Sequence, residues 1–92
     1  MGVWANQIGQ QFQSDIQDTD ITLQSIILEN LTNISITFNL YIKDSLGNIS
    51  YIAPYNDVIA SNSGWNKGNI LVPQGSVVVL AVSGLCSYYF SF

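Results

Sequence analysis

The sequence predicts an all-β domain: a β-sandwich, or a small barrel, of short antiparallel strands. Three observations lead there. Residues 34–42 alternate apolar and polar side chains over the whole stretch, which is the signature of a half-buried strand. Turn-forming pairs and triplets, Gly47-Asn48 and Pro73-Gln74-Gly75 among them, recur at close intervals. Beyond residue 20 no segment carries a convincing helical stripe.

Residues 1–20 read differently from the rest. They are rich in Gln, Asn and Asp, with scattered apolar residues. Trp4, Ile8 and Phe12 are spaced by four, which fits a helical stripe or an arm that orders on a neighbouring subunit. The expected organisation is 1–20 as an N-terminal arm or extra strand and 21–92 as the β-sandwich domain.

Ile21–Glu29 is the first strand expected in that domain. Its alternation switches parity, with Ile21, Leu23 and Ile27 on one face and Ile26 and Leu28 on the other. A central position or a β-bulge explains such a switch. A helix is the rival reading for 21–31, disfavoured by the β-branched isoleucines. Leu31-Thr32-Asn33 then leads into the alternating strand, where Ile34, Ile36, Phe38, Leu40 and Ile42 share one face. Asp44-Ser45-Leu46-Gly47-Asn48 supplies turn residues, and Ile49–Ala53 returns as far as Pro54, so 34–53 is expected to be a hairpin.

Residues 56–69 are Ser/Asn/Gly-rich and read as a loop. Ile70-Leu71-Val72 follows, then the Pro73-Gln74-Gly75 turn, in which proline is expected at the second position. Val77–Val82 is apolar on both parities. That marks a strand covered on both faces, by a core on one side and a subunit on the other. The last strand, Cys86–Phe92, places Cys86, Tyr88, Phe90 and Phe92 on one face. The sum is a sandwich of jelly-roll or immunoglobulin-like type, with six to eight short antiparallel strands and an N-terminal arm.

Composition bounds the partners. A 92-residue chain buries only about 60–65% of the surface its unfolded form exposes, so small domains often gain stability from disulfides, metals or partner subunits. Cys86 is the single cysteine and there is no histidine, which leaves partner subunits as the open route. Only 9% of residues are charged, against about 25% in an average soluble domain. A free monomer keeps itself soluble with mixed surface charge; a chain without it fits a place among copies of itself, with an ordinary neutral-surfaced β domain as the other reading. The net charge of −4, with Lys43 and Lys67 as the cations, argues against nucleic acid and against anionic membranes as partners. Met1–Gln13 lacks the basic start and apolar run of a signal peptide. Val77–Val82 is too short to span a bilayer. The expectation is synthesis in a cytoplasm and solubility until assembly.

The stretch Ile21–Phe92 resembles small virion proteins of tailed bacteriophages. The residues that carry the likeness are Ile21-Thr22-Leu23-Gln24-Ser25-Ile26-Ile27-Leu28-Glu29-Asn30, the strand ending Leu40-Tyr41-Ile42-Lys43-Asp44, the Gly47-Asn48 turn, and Ile70-Leu71-Val72-Pro73-Gln74-Gly75-Ser76-Val77. The order of elements is shared and no single motif is specific. The chain departs from that pattern in its hydrophobic end, Tyr88-Tyr89-Phe90-Ser91-Phe92, and in the longer segment around Trp65. The resemblance implies a β-sandwich that packs into heads, necks, tails or fibres beside other virion proteins, without catalytic residues.

The chemistry expected of the residues agrees. Without histidine no Ser-His-Asp or Cys-His arrangement can form within the chain. No metal site, cofactor site or phosphate loop is expected. Cys86 reads as a buried structural thiol, and Asp15, Asp18 and Asp20 as a solvated acidic segment. The pattern for Asn glycosylation at Asn30, Asn33 and Asn48 reads as turn chemistry. The expected subunit contacts are Tyr88, Phe90, Phe92 and Trp4. Trp65, between Gly64 and Asn66, is a candidate glycan contact, because an aromatic beside amides can stack on a sugar ring; folding over the core edge or anchoring a subunit is the competing role. The function expected is a non-enzymatic assembly or decoration subunit that forms homo-oligomers, with a carbohydrate- or receptor-binding module of a tail or fibre as the alternative.

Overall fold

The computed structural model describes the backbone of residues 2–8 and 11–92, and the side chains of Ala5, Asn6 and residues 11–92. Among the described residues all regular structure is β: β1 (Gly2–Ile8), β2 (Gln11–Gln13), β3 (Ile21–Asn30), β4 (Ile36–Lys43), β5 (Ile49–Tyr51), β6 (Asp57–Ile59), β7 (Gly64–Val72), β8 (Val77–Val82) and β9 (Leu85–Ser91). They form two sheets, one in the order β1-β9-β3-β7 and the other in the order β2-β8-β4-β5 with β6 also on β4. Every pairing is antiparallel. β5 and β6 act as one interrupted strand, β6 along the first half of β4 and β5 along the second. With those two counted together, each sheet has four strand positions, and the order is that of a jelly roll.

The core lies between the sheets. Leu23, Ile26 and Leu28 of β3 face Phe38 and Leu40 of β4 and Val78 and Leu80 of β8, all at most 1% exposed. Burying side chains of this size contributes about 1.5–3 kcal/mol each. The alternation read from the sequence begins two residues late. Ile36, Phe38 and Leu40 point inward, but Ile34 precedes β4 and is 66% exposed. The cause is Asn30. Its buried carboxamide donates to the carbonyls of Ile34, Ile59 and Ala60, and its Oδ1 accepts from the Thr32 N–H and hydroxyl. That clamp holds residues 31–35 in a turn and keeps Ile34 out of the strand.

β3 is a central strand, with β7 on one side and β9 on the other, which accounts for its apolar residues on both parities. Leu23 pairs with Ile70 and Ser25 with Gly68, so the parity switch occurs without an inserted residue. Asn69, beside that rung, has φ 56°, and an Asn tolerates this left-handed backbone better than most residues.

The segment expected to be a loop over 56–69 is mostly strand: β6 and the first half of β7 lie within it. β7 is an edge strand with one face open to solvent. Only Trp65, Ile70 and Val72 need to be apolar there, so Ser, Asn and Gly can occupy the rest and disguise it as a loop.

The turn before β8 is also shifted by one. Ser76 N–H donates to the Pro73 carbonyl (3.1 Å), which puts Pro73 first, and Gly75, at φ 81°, third. That is the left-handed position a type II turn requires. β8 is covered on both faces, but by its own sheet. β2 and β4 flank it, and Gln11 Nε2 of β2 donates to the Tyr41 hydroxyl of β4 (3.5 Å). Val79 beneath is fully buried within the single chain.

Residues 1–20 contribute to both sheets. β1 pairs with β9, Gly2 opposite Ser91 through Ile8 opposite Leu85. β2 pairs with β8. Trp4 and Ile8 belong to β1 and Phe12 to β2, so none of the three is on a helix.

Candidate functional site

β9 carries Cys86, Tyr88 and Phe90 on its inward parity, with Phe92 just beyond its end, and Tyr88 and Phe90 meet β2 at the margin of the sandwich. Phe12 of β2 packs on Tyr88 and Phe90 with ring centroids 4.6 and 5.4 Å away. Tyr88 and Phe90 are 5.5 Å apart. Beside these rings a cleft of about 270 Å³ opens, lined among the described residues by Ala5, Phe12, Tyr88, Phe90, Phe92, Ser14 and Asp15. Burial pushes the Tyr88 phenol above its ordinary pKa. Asp15 stands exposed at the cleft, and its carboxylate takes no hydrogen bond or ion pair among the described residues.

The residues singled out in the sequence fall in three places. Tyr88 and Phe92 are partly open walls of the cleft, while Phe90 is 7% exposed and belongs to the core. The Trp4 backbone pairs with Tyr89; its side chain lies outside the described residues. Trp65 is in β7 opposite Leu28 rather than in a loop. Its ring packs 5.3 Å from Phe38 and leans on the core. The structure therefore brings Tyr88, Phe90 and Phe92 together and leaves Trp65 elsewhere, above Phe38.

Cys86 is fully buried, and desolvation raises its thiol pKa. Asp15, Asp18 and Asp20 are exposed. Asp20 Oδ1 accepts from the Gln74 N–H (2.8 Å). No group of three metal-ligating side chains occurs among the described residues.

The second sheet has an outer face that the sequence reading did not single out. Register puts Gln11 and Gln13 of β2, Ala81 of β8, Thr37, Asn39, Tyr41 and Lys43 of β4, Ile49 and Tyr51 of β5 and Val58 of β6 on it. Tyr51 lies 5.6 Å from Tyr41 and 5.8 Å from Tyr55. Ile49, Tyr51, Tyr55 and Val58 are 47–68% exposed. Tyr55 is held in place from behind: Asn56 donates its N–H to Asn39 Oδ1 and accepts from Asn39 Nδ2. The hairpin register was the signal available in the sequence, since closing the turn at Asp44–Asn48 sets Tyr51 opposite Tyr41.

No family model matches this chain, and no curated protein matches it. Among solved structures, a crystal structure of PirA is similar with a TM-score of 0.64 at 9% identity, over 98% of this chain and 93% of that one. The likeness is one of fold. The structure of infectious bursal disease virus, Gx strain, is similar with a TM-score of 0.47 at 9% identity, over 98% of this chain and 33% of that one. The T13 viral particle of the same virus gives a TM-score of 0.44 at 9% identity, over 96% and 31%. This chain thus spans about a third of the length of either viral chain.

Proposed function

We propose that this protein is a non-enzymatic structural subunit of a virus particle, an assembly or decoration component of a tailed-phage head, neck or tail that works as a homo-oligomer beside other virion proteins. The observation that carries the reading is the outer face of the second sheet. Lys43 is its one charged side chain among the described residues, and Ile49, Tyr51 and Val58 stand open on it. Thr37, Asn39, Gln11 and Gln13 make the rest of the face polar, and the cluster of exposed apolar and aromatic side chains at its β5–β6 margin marks a contact surface. The free edge of β5, Ile49-Ser50-Tyr51, is exposed and uncharged, without the lysines that usually guard an edge from pairing. The resemblance of residues 21–92 to phage virion proteins supports the same reading. Jelly rolls serve in capsids and in lectins alike, so the fold alone does not decide.

The subunit contacts proposed at the other margin are Tyr88 and Phe92, with Phe90 as their buried support, and Trp4 on the adjoining strand. Native mass spectrometry of the purified protein tests self-assembly. A discrete oligomer is expected, and a strict monomer at high micromolar concentration rejects the reading. Mass spectrometry of purified particles tests the location.

A second reading, a carbohydrate- or receptor-binding module of a tail or fibre, draws on Trp65 and more directly on the exposed Tyr51 and Tyr55. A glycan array probed with the assembled protein checks it. Signal that survives Tyr55→Ala and Tyr51→Ala would remove those rings from the site.

A further inference from the structure

We propose that two copies of this chain pair about a two-fold axis, each placing the Leu46 tip of its β4–β5 hairpin in the aromatic cleft of the other. The inference rests on the self-assembling reading above and names its contact.

Leu46 is 85% exposed, and it is held there. The Asp44 carboxylate accepts from the N–H groups of Leu46 and Asn48 (2.9 Å each) and from Asn48 Nδ2 (3.1 Å). Gly47 N–H donates to the Asp44 carbonyl, and Asp44 N–H to that of Asn48. A turn braced this way does not let the side chain fold back onto its own sheet.

The cleft fits such a side chain. Its volume is about 270 Å³ and its walls include Phe12, Tyr88, Phe90 and Phe92, whereas an apolar cavity of about 150 Å³ already holds benzene. Leu46 is not part of its own cleft's lining. The tip and the cleft nevertheless open at the same end of the sandwich. A hollow lined by Gln13, Ile16, Lys43, Asp44 and Ser45 joins the hairpin base to the segment that carries Asp15. Ile16, 67% exposed, lies between them. A knob and a hole side by side on one surface are what a self-complementary, isologous contact needs.

Charge fits the same arrangement. Lys43 is on the hairpin, and its ammonium has no hydrogen bond or ion pair among the described residues; Lys67, the other cation, donates to the Ile52 carbonyl. Asp15 is the unpaired carboxylate at the cleft. The two-fold brings Lys43 of each copy to Asp15 of the other.

Analytical ultracentrifugation of the intact protein tests this, with circular dichroism to confirm folding. Leu46→Ser removes an exposed side chain, so the fold stands, and dimerisation is expected to weaken by at least about tenfold. Asp15→Lys and Lys43→Asp are each expected to weaken it by about fivefold, the scale of one exposed ion pair. The double variant, or an equimolar mixture of the two single variants, is expected to recover the dimer. A wild-type oligomer indifferent to Leu46→Ser, or a double variant no better than the singles, overturns the contact and leaves self-assembly standing. A wild-type monomer overturns both. An unchanged mass for Leu46→Ser, with an apolar dye still bound at the cleft, assigns the cleft to a different ligand and also overturns the pairing.

Discussion

Asn30 joins three segments through one side chain. It is 2% exposed, and its amide reaches carbonyls before β4 and at the end of β6. Replacing it with alanine leaves the buried Ile59 carbonyl without a donor and removes the part-buried bonds to Ile34 and Ala60, so Asn30→Ala should lower stability by about 1–3 kcal/mol in urea unfolding. Asp44 makes a prediction in pH. The Asn48 N–H holds its carboxyl below the ordinary value against the opposing cost of desolvation, with the Asn48 side chain and the Leu46 N–H adding to the effect. A carboxyl whose pKa is lower in the folded state stabilises the fold above the unfolded value and loses that contribution as pH falls through the folded one. The hairpin tip should therefore be fully braced above about pH 4 and loosen below it. Amide signals of Leu46 and Asn48 followed by NMR should shift together with acid, and Asp44→Asn should abolish the titration.

At the scale of elements, the crossing of β3 and β7 is the tightest constraint. A Cβ at Gly68 would stand 2.7 Å from the Gln24 carbonyl oxygen, and a backbone atom in a central strand cannot yield. Gly68→Ala should cost about 1–3 kcal/mol, seen as a lower urea midpoint with unchanged slope. Phe38, 1% exposed beneath Trp65, sets the other limit: Phe38→Ala should cost about 3–5 kcal/mol. Because Trp65 leans on Phe38, a loss of glycan signal in Trp65→Ala needs a stability measurement beside it. Tyr55→Ala carries no such ambiguity.

For the whole molecule, sparse charge and exposed rings predict association that grows with salt, since apolar contacts dominate and screening affects little. Tyr51→Lys adds a second charge to an outer face that carries only Lys43 among the described residues, and should raise solubility and lower the oligomer fraction in native mass spectra. Phe90→Asp belongs to a different category. At 7% exposure it places a charge in the core, and loss of the folded circular dichroism spectrum is expected. Tyr88→Asp, at the open wall, should spare the fold and impair assembly.

The all-β class, the 34–53 hairpin, the central strand at 21–30 and the shared face of Cys86, Tyr88, Phe90 and Phe92 follow from local periodicity and turn chemistry, which neighbouring residues suffice to set. Contacts far apart in sequence decided the rest. Ile34 is outside its strand because Asn30 ties its carbonyl to Ile59 and Ala60. Residues 64–69 are strand because β3 supplies a partner, and hydrogen bonds to that partner outweigh a composition poor in strand formers. The cleft exists because β2 and β9, nearly the whole chain apart, meet across the two sheets, and no pattern within either strand records that meeting. Period and turn residues are local properties of a chain; which edges and faces meet is fixed only when the sheets close over their core.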